Sequence, residues 1–264
     1  MKSAVATPMD IKLMNLTVAV LVLVFVVLCV VAGVRGFSRA HAFDIQGITV
    51  SGDTHHNNSL TLRANVAPRI AGTFFTVNLD DTRTAFEAAP WVRRAVVRRE
   101  FPNRLRVNLQ EHEPVALWAS EGGQGDARLV NSFGEVFDAN LGEVDQDSLP
   151  MLSGPEGQST ELLAMYRAIA PLFDAMDMPV EELALSGRGS WSVRLDAGSE
   201  IELGRGNPDE VTPRVQRFLI TVRQVVSRYG RASNAIESAD LRHENGYAIR
   251  LRGVSTGQTD GAKK

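Results

Sequence analysis

The chain has 264 residues, 44% hydrophobic and 22% charged, which is ordinary for a folded protein and excludes wholesale disorder. This length predicts one large or two small globular units. The formal net charge is -3. Residues 1–34 contain Lys2, Lys12 and Asp10, so the remainder has 26 basic and 30 acidic residues. This balance excludes a global attraction to nucleic acid. The one cysteine, Cys29, excludes an intrachain disulfide, so the fold depends on its packed core.

An uncharged apolar run over residues 13–34 predicts a membrane-spanning helix behind a short head, residues 1–12. Such a helix is roughly 33 Å long and exceeds the hydrocarbon core of about 30 Å. The competing interpretation is a cleaved signal peptide, because Ala-His-Ala at 40–42 resembles a cleavage site. The run is longer than a signal-peptide core, and Arg35 and Arg39 separate it from that site, so we expect an uncleaved anchor. The flanking charges orient the helix poorly, and the short head and large tail suggest that the N-terminus is inside.

Residues 43–112 predict a small α+β domain in the order strand, helix, helix, strand, strand. The predicted elements are a strand at 43–50, helices at 60–70 and 80–89, and hairpin strands at 95–100 and 105–110. Gly47 is placed at a bulge of the first strand, and Pro90 ends the second helix. Two helices on one face of a three-stranded sheet are therefore expected.

The predicted hairpin is rich in arginine, with six on its exposed side: Arg93, Arg94, Arg98, Arg99, Arg104 and Arg106. A solvated strand face explains such a pattern, and a docking surface for an acidic partner or for phospholipid head groups is the alternative. Nucleic-acid binding is disfavoured, because no aromatic residues interleave the arginines for base stacking.

About a dozen positions at fixed spacing resemble the POTRA domain of the FtsQ family of bacterial cell division proteins, called DivIB in Gram-positive bacteria. They are Pro90-Trp91-Val92, Ala95, Val97-Arg98-Arg99, Pro102, Leu105, Val107, Glu111, Pro114-Val115-Ala116 and Trp118. Phe101 stands where Trp is common in that family. The resemblance implies a single-pass inner-membrane protein with a periplasmic POTRA domain, a following β domain and a place at the division septum.

Residues 113–252 are the second predicted unit, for which the resemblance implies a mixed sheet with two packed helices, and residues 253–264 predict a disordered tail. Strands are indicated near 115–117, 129–130, 183–185, 191–195, 200–205, 236–242 and 247–252. The first helix follows Ser159 with an apolar stripe at three- and four-residue spacing. The second is predicted to begin with Thr212 as N-cap and Pro213 at its first position, and to end at Gly230.

Connections in the second unit carry turn residues. The stretch 121–126 predicts a polar hairpin loop, and residues 130–137 resemble the family's short hairpin with glycine at the turn. Gly154-Pro155 indicates an irregular connection, and Asn245-Gly246 a type I′ turn. The order of elements thus gives an α+β chain: one N-terminal membrane helix, a POTRA domain and a mixed β domain.

The sequence offers no catalytic, cofactor or metal site. His55-His56 is an adjacent pair on a predicted loop, and adjacent residues rarely chelate one metal well. Glu111 and Glu113 share one strand face, where paired carboxylates could do acid–base work, but a charge cluster at a strand end explains them equally. A G-x-S-x-G nucleophile elbow does not occur in the chain.

A protein that acts by binding can use a sheet edge, whose free backbone N–H and C=O groups accept a strand from another chain. The last predicted strand is the candidate, and the resemblance implies that it pairs with FtsB in complex with FtsL. The predicted partner-binding residues are Leu241, Arg242, His243, Tyr247, Ala248, Ile249, Arg250 and Leu251. His243 stands where Tyr is common in the family, and Leu251 where Trp is frequent. The competing interpretation makes this strand the last rung of a closed sheet.

The resemblance further implies contacts with FtsK, FtsW and FtsI and insertion in the inner membrane through residues 13–34. Two other functions stay open at this point. One is a POTRA module of an outer-membrane secretion or assembly system, although such proteins usually carry several POTRA repeats and a β-barrel. The other is a membrane-tethered periplasmic hydrolase that uses Glu111 or Glu113.

Overall fold

The structure is a computed structural model that describes residues 9–38, 41–56, 62, 66, 68, 70–120, 127–228, 230–231, 235–243 and 246–253. The chain divides into two compact units, Met1–Glu111 and His112–Lys264, and each is described by itself. The predicted loop at 121–126, Asn245 of the predicted turn and the tail beyond Gly253 fall outside the described residues, as does most of the helix expected at 60–70.

Helix α1, Met9–Ser38, contains the apolar run and extends beyond it at both ends. Within the described part of the chain it is the one helix long and apolar enough to cross a membrane, over Leu13–Ser38. Its Leu, Val and Phe side chains are exposed along the whole length, and Cys29 among them. An apolar surface of this length is stable in lipid and costly in water.

The rest of the first unit is a three-stranded sheet with helix packing on one face. Its elements are strand β1 (Gly47–Gly52), helix α2 (Leu79–Glu87), strand β2 (Val92–Glu100) and strand β3 (Arg104–Glu111). The strand order is β1-β3-β2, with β1 parallel and β2 antiparallel to β3. Strict alternation along β3 buries Leu105, Val107 and Leu109, and Phe86 of α2 lies fully buried in the same core.

Two expectations for this unit are wrong. The first strand starts at Gly47, because residues 41–43 form a 3-10 turn, and Gly47 pairs in regular register with Arg104 instead of forming a bulge. Arg99 does not share the outer face of the hairpin: it lies opposite Leu105, on the core side. Its guanidinium donates to the carbonyl oxygens of Phe74 (2.7 Å) and Val77 (2.8 Å), which explains an arginine at this position.

The second unit is built on a mixed sheet of nine strands among the described residues. They are β4 (Pro114–Ser120), β5 (Arg128–Asn131), β6 (Val136–Phe137), β7 (Met151–Gly154), β8 (Val180–Leu185), β9 (Ser190–Leu195), β10 (Glu200–Arg205), β11 (Ile236–Asp240) and β12 (Ala248–Leu251). The strand order is β12-β11-β10-β9-β8-β7-β4-β5-β6. The β4–β7, β7–β8 and β10–β11 pairs are parallel and the others antiparallel.

Two of the three parallel pairs are connected through a crossover helix, whereas the chain from β4 to β7 runs through β5 and β6. Helix α3 (Ser159–Asp174) joins β7 to β8, and helix α4 (Pro208–Arg228) joins β10 to β11. The helices contact each other, and their apolar stripes pack on the sheet in one core that includes Trp118 and Trp191. The α+β class, the POTRA-type first unit and the mixed sheet with two packed helices are confirmed.

The start of α4 was predicted wrongly. The helix begins at Pro208, so Pro213 lies inside it and Thr212 is no cap. Asn207 and Glu210 explain the earlier start: the Asn207 side chain accepts from the Glu210 N–H (3.1 Å), and the Glu210 carboxylate accepts from the Asn207 N–H (3.3 Å). This reciprocal pair is a capping box in which Asn replaces the usual Ser or Thr.

Other local expectations had mixed outcomes. Strand β7 was not predicted; it is paired on both sides and ends at Gly154, and the irregular connection expected at Gly154-Pro155 follows it directly. The β5–β6 hairpin forms as predicted, with Gly134 at φ +84°. Buried Asn131 shapes this turn, because its side-chain oxygen accepts from the N–H groups of Phe133 and Glu135, both at 2.9 Å.

Candidate partner-binding edge

Strand β12 stands at one end of the nine-stranded sheet. Within the described residues β11 is its one strand neighbour, and the opposite end of the sheet is β6. The described part of the sheet is therefore open, not closed through β12. The antiparallel register places Ala239 opposite Ile249 and Asp240 opposite Ala248, with a register shift near Glu237 on the β11 side.

The backbone direction along β12 follows from one hydrogen bond at its end. The Arg252 N–H donates to the Ala235 carbonyl at 2.8 Å, so it points toward β11. Because backbone groups alternate along an antiparallel strand, those of Arg250 and Ala248 also face β11. The N–H and C=O groups of Ile249 and Leu251 then face the open edge. These are the groups that an added strand would use.

The side chains of β12 divide between two faces. Leu251 is buried and Ile249 half-buried against the core of the unit. Ala248 and Arg250 are exposed on the other face, where the Arg250 guanidinium lies 3.2 Å from the Glu237 carboxylate. The core-side residues therefore fix the strand, while the outer face presents one small and one basic side chain.

A cavity of about 250 Å³ lies beside this edge, between α4 and the segment that precedes β12. Its lining residues are Arg214, Arg217, Phe218, Thr221, Leu241, His243, Gly246 and Tyr247. The Tyr247 ring meets Phe218 edge-on with 5.0 Å between centroids, and its hydroxyl lies 3.0 Å from the Thr221 hydroxyl. An aromatic floor with two arginines and a histidine at the rim suits a side chain with an apolar stem and an acidic end.

The end of β11 is held by an ion pair within the turn. The Arg242 guanidinium donates to both carboxylate oxygens of Asp240, at 2.8 and 2.5 Å, and the Arg242 N–H donates to the first of them at 3.0 Å. These hydrogen bonds from Arg242 lower the pKa of Asp240 to about 2. The pair positions the start of the 241–247 segment that walls the cavity.

Gly204 makes room for this arrangement from the neighbouring strand. It has φ +83° at a register shift in β10, a backbone conformation that only glycine adopts without strain. A Cβ at Gly204 would lie 3.1 Å from Arg242 Cγ and 3.2 Å from an Arg214 guanidinium nitrogen. That Arg214 nitrogen donates to the carbonyl oxygens of Leu203 and Arg205. The missing side chain at Gly204 therefore lets Arg214 and Arg242 pack against the bulge.

The structure brings the sequence-predicted residues together in two groups. Leu241, His243 and Tyr247 line the cavity, and Ala248, Ile249, Arg250 and Leu251 form the edge strand. Arg242 contacts Asp240 behind the cavity wall. Sequence reasoning missed the α4 contribution, namely Arg214, Arg217, Phe218 and Thr221. No sequence signal placed this part of the helix beside β12.

The candidate catalytic residues Glu111 and Glu113 differ in their surroundings. Glu111 is buried, and its carboxylate accepts from the backbone N–H groups of His55 (2.9 Å) and His56 (3.0 Å). The His56 ring stacks on Trp91 at 3.9 Å, which closes the end of the first unit. Glu113 is exposed. Across the residues described, no group of three or more His, Cys, Asp or Glu could hold a metal ion.

The fold thus combines a POTRA-type unit with a mixed β-sheet that carries two packed helices and ends in the edge strand β12. The family model of the POTRA domain, FtsQ-type, matches residues 43–112, and that of the C-terminal domain of cell division protein FtsQ/DivIB matches residues 116–242. Together the two matches cover most of the chain.

Curated relatives agree with both matches. Cell division protein FtsQ of Burkholderia pseudomallei is 41% identical over 257 residues, covering 97% of this chain and 99% of the relative. FtsQ of Thiomonas arsenitoxydans is 38% identical, covering 94% and 89%, and FtsQ of Bordetella pertussis is 35% identical, covering 92% of each chain. The chain belongs to the FtsQ family of cell division proteins. The outer-membrane secretion alternative has no support in these matches.

Proposed function

We propose that this protein is a single-pass inner-membrane scaffold of the division machinery that binds FtsB, in complex with FtsL, by strand addition at β12. The observation that carries the proposal is the open edge of β12, with the backbone groups of Ile249 and Leu251 directed away from β11. Backbone pairing supplies affinity without demanding particular side chains. This explains how the interaction tolerates His243 and Leu251 where the family often has Tyr and Trp.

The cavity beside the edge supplies selectivity. A strand added to β12 passes the opening lined by Phe218 and Tyr247, and one of its side chains can enter. Arg214 and Arg217 at the same opening favour an acidic side chain over a basic one, because opposite charges attract and like charges repel at such distances. The preferred partner segment is therefore an extended strand with an acidic residue that can reach this opening.

Anchoring follows from α1, whose length and apolar surface suit a membrane span. We place the head inside and both folded units in the periplasm, enriched at the septum, where FtsK, FtsW and FtsI are further candidate partners. The protein acts by binding, without catalysis, cofactor or nucleic acid. The buried, fully engaged Glu111 supports this over the hydrolase alternative.

The experiment compares Ile249→Pro with Ile249→Val in the full-length protein. Proline removes an N–H that faces the open edge and leaves the hydrogen bonds to β11 intact. We expect affinity for a purified FtsB–FtsL complex to fall by about ten-fold or more with Pro and to stay unchanged with Val. Equal binding by both variants would contradict strand addition at this edge.

The cellular part of the proposal is tested separately by imaging a fluorescent fusion of the full chain in dividing cells. A band at the septum that persists in Ile249→Val cells is expected. Uniform envelope fluorescence of the unmodified sequence would overturn the septal assignment, whatever the outcome of the binding measurement.

A further inference from the structure

A chain of aromatic rings runs from the end of α1 across one end of the first unit. We call Phe37, Phe43, Phe74, Phe75 and Phe101 the aromatic base. Ring centroids are 5.1 Å apart for Phe37 and Phe43, 4.9 Å for Phe43 and Phe75, 5.2 Å for Phe74 and Phe75, and 6.1 Å for Phe74 and Phe101. Three of these side chains remain exposed: Phe37 by 63%, Phe75 by 45% and Phe101 by 76%. Exposed phenylalanines in one continuous cluster are costly in water.

The position of Phe37 sets the depth of this cluster. It follows Val34, the last residue of the apolar run, by three residues, which is about 4.5 Å along the helix axis. That places Phe37 at the level where aromatic side chains line membrane surfaces. The Thr73 hydroxyl donates to the Ser38 carbonyl, so the turn that carries Phe74 and Phe75 is attached to the same end of α1.

Phe101 lies at the same end of the sheet. The turn that contains it joins β2 to β3, and the Gln46 N–H, just before β1, donates to the Asn103 carbonyl at 3.0 Å. Strand β1 begins at Gly47, nine residues after α1 ends at Ser38, and pairs there with Arg104 beside the β2–β3 turn. This end of the sheet is therefore the end closest to α1 along the chain. The far end of β1, at Asp53, is on the order of 20 Å away.

Basic side chains border the aromatic base on the outer face of the sheet. Arg98 and Arg106 are exposed and directly opposite each other in the β2–β3 ladder, and exposed Arg104 is next to the turn. We call these three the basic collar. Like charges directly opposite on a sheet destabilise it, and an anionic surface would relieve that cost. Of the acidic groups at this end, Glu100 is paired with Arg106 at 2.5 Å, and Asp44 is exposed.

We propose that the aromatic base and the basic collar seat the first unit on the outer surface of the membrane that α1 crosses. Phe75 and Phe101 enter the head-group layer, and the collar binds the phosphates of anionic phospholipids. The inference rests on the proposed anchoring by α1. Continuity with that helix and charge complementarity identify the occupant as lipid, because aromatic and arginine side chains together match the membrane interface.

The test uses the full chain in nanodiscs of phosphatidylethanolamine and phosphatidylglycerol. A spin label is placed at Gln46→Cys in a Cys29→Ala background, and the matched control label at Asp53→Cys. Both positions are exposed, at opposite ends of β1. We expect the Gln46 label to be shielded from a water-soluble relaxation agent and accessible to oxygen, and the Asp53 label to show the reverse.

Substitutions then separate the aromatic and the basic contributions. Phe101→Ser, at a side chain 76% exposed, should move the Gln46 label toward water with unchanged thermal unfolding. Arg98→Gln and Arg104→Gln should each lower the ratio of membrane-bound to detached first units by about five-fold. Replacing phosphatidylglycerol by phosphatidylcholine should have the same effect, because it removes the anionic head groups. Melting temperatures identify any variant that disturbs the fold.

Three results would decide against lipid seating. The seating is overturned if the Gln46 label is as exposed to water as the Asp53 label. It is also overturned if the Gln46 label stays shielded in lipid-free amphipol, because the shielding contact would then be with protein. Insensitivity of the label to Phe101→Ser also overturns it. A label on the native Cys29 tests the anchor itself: a water-exposed Cys29 contradicts the proposed span, whereas a lipid-buried Cys29 with a water-exposed Gln46 contradicts the seating alone.

Discussion

Two of the edge strands, β2 in the first unit and β12 in the second, are protected very differently. Strand β2 carries four arginines, and the N–H of Ala95 is already occupied, because it donates to the Glu87 carboxylate of α2 at 3.0 Å. Strand β12 has one arginine, and its core-side residues are Ile249 and Leu251.

The difference shows how one protein can block strand pairing at one sheet edge and leave another edge available for it. Charged side chains and a side-chain acceptor are devices by which proteins prevent unwanted strand pairing. β2 uses both, whereas β12 offers backbone groups beside a cavity that can take a side chain. Under the proposed strand addition, β12 lacks this protection because a partner strand would cover its edge.

The largest effect on partner binding is expected from a charged side chain in β12, the device that protects β2. Ile249→Lys places a charge on the half-buried core side of the edge, where an added strand would have to cover it. We expect affinity for the FtsB–FtsL complex to fall by about 100-fold, or close to 3 kcal/mol. Ala248→Lys is the matched control, since it adds the same charge on the exposed face. Equal losses in a titration of both variants would mean that charge, not the edge, decides binding.

Gly204→Ala should have the next largest effect, because it strains the bulge beside the edge. We expect the free energy of unfolding to fall by about 2 kcal/mol and partner affinity to fall with it. Gly189→Ala is the control: its φ is +76°, but nothing lies within 4 Å of an added Cβ. Chemical denaturation should show a smaller loss there, and the excess for Gly204 reports the displacement of Arg214 and Arg242. Identical losses would show that only backbone strain matters.

Opening β2 is expected to have a moderate effect. Glu87→Ala leaves the Ala95 N–H without its acceptor and should reduce stability by about 1 kcal/mol. It should also promote self-association of the full chain, detectable by sedimentation velocity in detergent. Glu87→Gln keeps a side-chain oxygen for the Ala95 N–H and should restore the monomer. Self-association that Gln does not reverse would show that the carboxylate charge, not the hydrogen bond, protects the edge.

The smallest effect concerns the pH dependence of the Asp240–Arg242 pair. The folded pKa of Asp240 is lowered to about 2 from an ordinary value of 3.8, so the pair stabilises the fold fully above pH 4. That contribution decreases as the pH falls through about 4 and is lost only below about 2, because half of the folded Asp240 side chains are still ionised near pH 2. Asp240→Asn should cost under about 1 kcal/mol at pH 7, as an exposed pair does, and clearly less at pH 2. A difference in thermal stability that is as large at pH 2 as at pH 7 would contradict this assignment.

Much of the fold was predictable because local patterns determine it. Alternation along β3 and the apolar stripe of α3 depend on side-chain periodicity, and both elements formed as expected. The start of α4 was missed because Thr212-Pro213 and Asn207-Pro208 are both good start signals, and only the second has Glu210 in position to complete a capping box. Strand β7 was missed because four residues carry too little periodicity.

The candidate site was predictable only in part. Residues 248–251 could be named from the strand pattern and the family resemblance. Their place at the end of the sheet depends on the order β10-β11-β12, which no local pattern encodes. The α4 side of the cavity depends on how the crossover helix lies over that end, so Arg214 and Phe218 could not be assigned in advance.

The parallel pairing of β10 with β11 has a consequence for the order of folding. Strands β8, β9 and β10 pair across short connections, but Glu200 meets Ser238 only after all of α4 has closed between them. Because closing that loop costs entropy, we expect the terminal hairpin to assemble after β8, β9 and β10 have paired and to open before them. A strand bound to β12 would hold that hairpin shut, so amide hydrogen exchange in Ile236–Asp240 is expected to slow severalfold once the partner is present.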